Sequence, residues 1–539
     1  MRVGLGTTIC VLLVLAGACS GDPPVQAGRT RVATPGPGGT PQASNPGRAC
    51  GLSGELLLRT WRGFHPQRSG DLQLVPREPN HIGNWFPHSG PWDYLQRVPM
   101  LWYGPGLVPG AGQVARPVTM ADVAPTIAEL VGFRFRARDG HPMVEAIPPG
   151  AFTPPRLVAT VVWDGGGRNV LDEYPDAWPN LRRMIEGGAW FGKATVGSSP
   201  SATPPVHATL GTGAFPRHHG LIDLRFEVDG RFVPAMEEGP QYLAVRTLAD
   251  RYDMARQNRP EIGVVAFREW HLAMIGHGSS LPGADADLAV LLDRASGRWA
   301  LDGPNAAFFE FAPYANRVPG RQRFLQEQDL EDGKQDGVWL GEQVLDDPTL
   351  HSKTPAYTRW QTRLLEEIIQ SEGFGADDIP DLLFTNYKQI DEVGHRWSMN
   401  SPQMEAAVRA SDEALGELER VLDRHVGRGR WVMVVTADHG STPKPELSGA
   451  RIIGKQDVLR PIAARFDADG DANGVIRQMR PTQVWLETSE LRANGSSPEQ
   501  VAAFVEGFRV EGKRFFDAVM PGRLLRGRAC VGGSSQAAG

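Results

Sequence analysis

Four short stretches place carboxylate, imidazole and hydroxyl groups where they can act together. Asp164 opens Asp-Gly-Gly-Gly directly after the apolar run at 157–163. Asp391 and His395 stand four apart in Asp-Glu-Val-Gly-His, just beyond the apolar run at 382–385. Asp438-His439-Gly440 follows the run at 431–436. Thr203 precedes Pro204 at a helix start within 198–220. Proline fits the first helical turn, because its missing N–H would have no partner there. A capping hydroxyl at such a start faces free backbone N–H groups and the positive end of the helix dipole, a place that favours an anionic oxygen or a phosphoryl group. Carboxylate and imidazole are the ligands of Zn²⁺ in hydrolytic sites. Taken singly, each group reads as a loop cap or a buried histidine bonded to backbone. Their recurrence at successive strand ends, with a helix-capping threonine beside them, points to metal-assisted chemistry on a phosphoryl group.

The elements that must position these groups alternate. Short apolar strands are expected at 157–163, 262–267, 381–387 and 431–436, and helices at 179–187, 355–371 and 402–424. That alternation predicts an α/β fold with a largely parallel central sheet covered by helices on both faces, its active residues beyond the carboxyl ends of strands. The stretch at 229–353 is irregular and rich in Trp, Gly and Pro, which suits a cap or insertion over the site.

At the N-terminus, Met1 and Arg2 precede an apolar run at 3–18, too short to span a bilayer comfortably and ending in small residues. This reads as a secretory signal over 1–19. Ala16-Gly17-Ala18-Cys19 also resembles a bacterial lipobox, with Ala16 where Leu is usual, and makes Cys19 a lipidation site. The expected location is periplasmic or cell-surface, with a lipid anchor as the membrane contact. Residues 20–49 hold six Pro and six Gly and no aromatic residue, the composition of a disordered tether. The net charge of −6 and the lack of a Lys/Arg block exclude nucleic acid as the main partner. In an exported chain the two body cysteines, Cys50 and Cys530, are expected to form one disulfide.

Together, Asp164-Gly-Gly, Pro200-Ser-Ala-Thr-Pro-Pro-Val-His207, Thr212-Gly-Ala-Phe-Pro-Arg-His-His-Gly220, Asp391-x-x-Gly-His395 and Asp438-His-Gly440 resemble the alkaline phosphatase superfamily. The branch is that of type I phosphodiesterases, nucleotide pyrophosphatases and transition-metal alkaline phosphatases. The resemblance implies Thr203 as nucleophile and two divalent metal ions, Zn²⁺ foremost. Asp164, Asp438, His439 and the Thr203 oxygen would hold one, and Asp391 and His395 the other. It implies a small phosphoester substrate. A threonine hydroxyl needs such activation to attack at neutral pH, and two metals can stabilise the attacking and leaving oxygens of an in-line displacement. Sulfatases of the superfamily need Cys or Ser where this chain has Thr203.

The chain departs from the pattern in three places. Leu224 stands where an Asn is usual, and Phe267 and Glu269 stand where monoesterases carry Lys-x-Arg. A doubly charged monoester would want those cations. Their absence favours a phosphodiesterase over an alkaline phosphomonoesterase or a phosphonate hydrolase, with Arg225 and Arg268 as compensating candidates. A decayed, merely phospho-ligand-binding lipoprotein is the non-enzymatic alternative. The third departure is order. Segments like those at 63–72, 88–94, 98–106 and 121–130 lie after Asp-His-Gly in the related phosphatases, so the resemblance implies a circular permutation. The catalytic domain would then run over 50–530: a permuted segment at 50–150, the metal-site core with its insertion at 151–445, and the remainder at 446–530, followed by a tail at 531–539. A Cys50–Cys530 disulfide would pin the opened ends. The family's remaining metal ligand is a histidine downstream of Asp-His-Gly, yet no histidine follows His439. With permutation, His88 fills that place and His81 is the alternative.

Overall fold

The computed structural model describes residues 32–35, 46–83 and 86–527. Its centre is a nine-stranded mixed sheet. In chain order the strands are β1 (Met100–Tyr103), β2 (Gly112–Val114), β3 (Leu157–Trp163), β4 (Ala189–Phe191), β5 (Ile262–Ala266), β6 (Leu288–Asp293), β7 (Arg298–Ala300), β8 (Asp381–Tyr387) and β9 (Trp431–Thr436). Their spatial order is β7-β6-β5-β8-β3-β9-β1-β4-β2. The five strands β6, β5, β8, β3 and β9 are mutually parallel, so their carboxyl ends share one edge. β1 runs antiparallel beside β9, and β7 runs antiparallel beside β6.

The parallel strands are mostly apolar and buried along nearly all their length because both faces are covered. Side chains alternate between the faces of a strand. Val158 and Val162 of β3, with Val432 and Val434 of β9, enter one core. Leu157, Ala159, Val161 and Trp163, with Trp431, Met433 and Val435, enter the other. Helices α1 (Pro179–Gly187), α3 (Pro355–Ser371) and α5 (Pro402–Leu422) supply the second core, and α2 (Thr203–Thr212) packs in the first. Helix α4 (Gln389–Trp397) starts two residues after β8 ends.

The register sets the functional edge. Trp163 pairs with Tyr387, and Val162 pairs with Thr436. The residues that follow these strands, Asp164, Lys388 and Asp438, therefore leave the sheet as neighbours.

Three expectations need correction. The stretch at 229–353 is not simply a cap: β5, β6 and β7 come from it and form one side of the central sheet. β5 matches the strand expected at 262–267, whereas β6 and β7, of six and three residues, stand among irregular loops and did not declare themselves. The tether at 20–49 is not devoid of structure. Val32 and Ala33 pair antiparallel with Val510 and Arg509, the open edge of a short hairpin, and Pro46–Ala49 form a helical turn. Thr203 is also not the cap of its helix. Ala202 is the N-cap and Thr203 is the first helical residue. The signal at 1–19 with Cys19, the partner cysteine Cys530 and the tail at 531–539 lie outside the described residues.

A smaller four-stranded antiparallel sheet joins the two ends of the chain. Leu72–Pro76 lies between Gln483–Leu486 and Phe516–Pro521. Leu72 and Leu74 pack there with Val484, Phe516 and Val519.

Candidate metal centre

Each strand of the adjacent trio β8-β3-β9 ends in a side chain that turns into one buried centre. Asp164 is completely buried. Its Oδ2 accepts from Asn386 Nδ2 at 2.9 Å and lies 3.5 Å from His271 Nε2, which leaves Oδ1 facing the centre. Asp438 Oδ1 accepts from the Gly165 N–H at 3.0 Å, which turns Oδ2 inward. Asp391 and His395 lie one turn apart on α4, the i and i+4 positions that share a helix face. The loops that carry these groups meet closely. A Cβ on Gly167 would stand 2.4 Å from Gly440 Cα, so the Asp-Gly-Gly-Gly loop approaches the Asp-His-Gly loop this closely only because Gly167 lacks a side chain.

Three groups of donors meet here; one is Asp164 with His207 and His271, and the other two are the expected ligand sets. His88, Asp391 and His395 each offer a ligand atom within 4.8 Å of the others, and so do Asp164, Asp438 and His439. In the first set Asp391 Oδ1 is 3.4 Å from His88 Nε2 and 3.5 Å from His395 Nε2. In the second His439 Nε2 is 3.5 Å from Asp164 Oδ1 and 3.3 Å from Asp438 Oδ2. Ligands bonded at about 2.0–2.1 Å to a tetrahedral Zn²⁺ lie about 3.3–3.4 Å apart. The spacing fits.

The hydrogen bonds around the centre agree with that fit. His88 Nδ1 donates to the Ser201 carbonyl at 2.8 Å and His439 Nδ1 to the Gly440 carbonyl at 3.0 Å. Both rings therefore direct an Nε2 lone pair inward, the orientation that outer hydrogen bonds give metal-binding histidines. Asp438 Oδ2 and His439 Nε2 are buried with no hydrogen-bond partner among the described residues. Burial, with Asp164 and Asp391 close by, pushes the Asp438 carboxyl well above the carboxylate range. Burial also lowers His88 and His439 below the usual imidazole value. Three carboxylates packed this closely call for cations.

One such cation belongs to the chain, and the sequence reading missed it. Lys388 Nζ lies 2.7 Å from Asp164 Oδ1, 2.8 Å from Asp391 Oδ2 and 3.2 Å from Thr203 Oγ1. Burial alone would depress this ammonium, but Asp164 and Asp391 outweigh it and raise its pKa. The signal was a lysine set directly after a strand with an apolar run at 382–384 and three residues before Asp391. His207, four residues after Thr203 on α2, was also passed over. Its Nδ1 donates to the Thr203 carbonyl at 2.8 Å, and its Nε2 meets Asn386 at 3.1 Å.

Thr203 is almost fully buried at the first turn of α2. The expected cluster of free N–H groups is not there. Pro204 and Pro205 have none, and Val206 N–H already bonds the Ala202 carbonyl. Thr203's own N–H remains, and Lys388 takes the larger part in facing its oxygen. His81, the alternative to His88, sits in a strand paired with Ile452–Ile453 and joins neither donor set. Arg225 is exposed in a hairpin, and the Arg268 guanidinium lies 5.0 Å from the Trp270 ring. Among the described residues neither guanidinium bonds a residue of the centre.

A family model described as type I phosphodiesterase / nucleotide pyrophosphatase matches residues 158–517. A protein of Myroides odoratus named as a calcium-transporting ATPase is 21% identical over 416 residues, 65% of this chain and 72% of that protein. Alkaline phosphatase PhoK of Sphingomonas is 32% identical over 338 residues, 55% of this chain and 57% of that protein. Alkaline phosphatase PafA of Elizabethkingia meningoseptica is 32% identical over 156 residues, covering 28% of this chain and 29% of its own length. The crystal structure of wild-type PafA shares the fold, with a TM-score of 0.54 at 17% identity over 66% of this chain and 77% of that one.

Proposed function

The chain belongs to the type I phosphodiesterase/nucleotide pyrophosphatase family and is a hydrolase of phosphoric esters, and from that premise we propose that it cleaves phosphodiesters with Thr203 as nucleophile. The observation that carries this reading is the convergence of Thr203, Lys388 and two donor sets, one of them fully buried, beyond three adjacent parallel strands. Asp164, Asp438 and His439, joined by Thr203, would hold one divalent cation, and Asp391, His395 and His88 the other. Zn²⁺ suits these donor types. Such a pair supplies Lewis-acid stabilisation of the attacking and leaving oxygens.

The chain's own groups do the rest. Thr203 Oγ attacks phosphorus and the ester oxygen leaves with its electron pair; water then cleaves the phosphothreonine. Lys388 donates a hydrogen bond to Oγ1 and stabilises its anionic form. Asn386 and His271 hold Asp164 by its outer oxygen, so that Oδ1 keeps its place. Leu224, Phe267 and Glu269 supply no cation, and Lys388 is the one cationic side chain bonded within the centre among the described residues. A single ammonium suits a phosphoryl group with one negative charge more than a dianion.

The assay that tests this pairs metal content with turnover of bis-p-nitrophenyl phosphate and p-nitrophenyl phosphate. We expect two divalent ions per chain and a higher kcat/KM for the diester. Chelation should abolish turnover and Zn²⁺ should restore it. Preference for the monoester would overturn the diesterase reading, and two bound metals with no turnover of either ester would make the chain a binding protein.

The reading extends to chain order and export. A circular permutation is supported by Leu72–Pro76 lying between two C-terminal strands and by His88 standing beside Asp391. A Cys50–Cys530 disulfide would close the permuted ends, and a lipid on Cys19 would anchor an exported enzyme. Thiol titration of the denatured, unreduced mature chain checks the bridge: none is expected in the body, and two would remove it.

A further inference from the structure

A second concentration of positive charge lies away from the metal centre. A cavity of about 1000 Å³ is lined by Arg136, Arg138, Arg217, His218, Arg246 and Arg251. This is unusual company in a chain of net charge −6. Arg136, Arg138, Arg246 and Arg251 are exposed. Among the described residues no carboxylate forms an ion pair with any of these four. Asp139 and Asp250, adjacent in sequence to Arg138 and Arg251, are already committed. Asp139 accepts from His218 Nδ1 and from the Phe215 N–H, both at 2.8 Å. Asp250 accepts from His277 Nδ1 at 2.8 Å and from the Thr247 N–H at 2.7 Å.

Several of the cations are held in place by their surroundings. Arg251 lies 5.7 Å from the Phe135 ring. Arg217 stacks 4.2 Å from the Trp61 ring and donates to the Phe64 carbonyl. Aromatic faces of this kind fix a guanidinium without neutralising it. Arg136 and Arg138 line the cavity together with Phe135 and Ala137. Thr212, which also lines the cavity, ends the helix that Thr203 begins. Nine residues of helix separate the two by about 13 Å.

We propose that this cavity is a binding site for a multiply charged phosphoryl anion, distinct from the metal centre. Guanidinium forks match phosphate oxygens in pairs, and the four exposed ones around one concavity exceed what a single phosphate can use. The ligand class is a compact anion with three or more phosphoryl charges. It could arrive free in solution or as a phosphorylated lipid headgroup.

The test uses the full metal-loaded chain carrying Thr203→Ala, so that no probe is consumed. Cyclic trimetaphosphate, a weak chelator, is titrated calorimetrically at about 0.15 M salt, and metal content is measured before and after. Flotation with vesicles containing phosphatidylinositol 4,5-bisphosphate, whose headgroup carries more than three phosphoryl charges, forms the second arm. Saturable binding in either arm is expected and identifies the source. Arg136→Ala with Arg138→Ala should weaken it at least tenfold. Arg136→Lys with Arg138→Lys should retain part of it, because charge remains and the fork is lost. In the chain with Thr203 intact, both double variants should hydrolyse diester at the wild-type rate. Absence of binding in both arms, or binding equally tight in the alanine double variant, overturns the proposal.

Discussion

Thr203→Ala should lose about four orders of magnitude in diester turnover and keep both metals. Removal of a nucleophile that acts together with its activating groups has effects of this size. The metals should stay because two donor sets of three side chains each remain intact without the hydroxyl. Thr203→Ser should retain a measurable fraction, since Oγ survives and only a buried methyl is lost. Lys388→Met separates the nucleophile from its partner. It leaves the hydroxyl and removes the 3.2 Å donor to Oγ1, and a fall of about 10²–10³-fold is expected, the size seen when one preorganised donor is removed. Metal analysis and single-turnover kinetics on the three variants check the set. An alanine variant within tenfold of wild type would displace Thr203 from the mechanism.

The second large effect is expected from His88→Ala, which should lose one metal per chain and nearly all turnover. A catalytic zinc keeps three protein ligands and an open position. Without His88 the outer set has only Asp391 and His395, and His395 is the more exposed of its two histidines, at 39% against 12%. The inner set, Asp164, Asp438 and His439, should keep its ion. His81→Ala should leave metal content and turnover unchanged, because His81 belongs to neither set. Two metals and normal turnover in His88→Ala would remove the assignment.

Much of this was legible because parallel strands advertise themselves. The runs at 157–163, 381–387 and 431–436 are dominated by apolar residues, every position in them is buried, and the observed strands coincide with them. Each is followed at once by polar residues, so the functional edge could be read without knowing the strand order. The order itself was not readable. Nothing local in β3, β8 and β9 says that they lie side by side, since that depends on contacts hundreds of residues apart. Lys388 escaped for a related reason. A lysine after a strand reads as solvated, and only the register of Trp163 with Tyr387 brings it against Asp164. The first turn of α2 misled in the opposite direction. Pro204 and Pro205 signalled the helix start correctly, and the same two residues remove the N–H groups that a helix start normally offers.

The small sheet that joins the chain's two ends also governs when the molecule can become itself. Leu72 pairs with Pro521 and Gln73 with Met520, so a strand made early waits for one made nearly last. Contacts of such long sequence separation form slowly. Until synthesis is almost finished, the segment that carries His88 has no C-terminal strands to dock against, and Leu72–Pro76 presents unpaired edges. The late-arriving strand acts as a built-in delay, so that hydrolytic competence follows completion of the chain and cannot precede it.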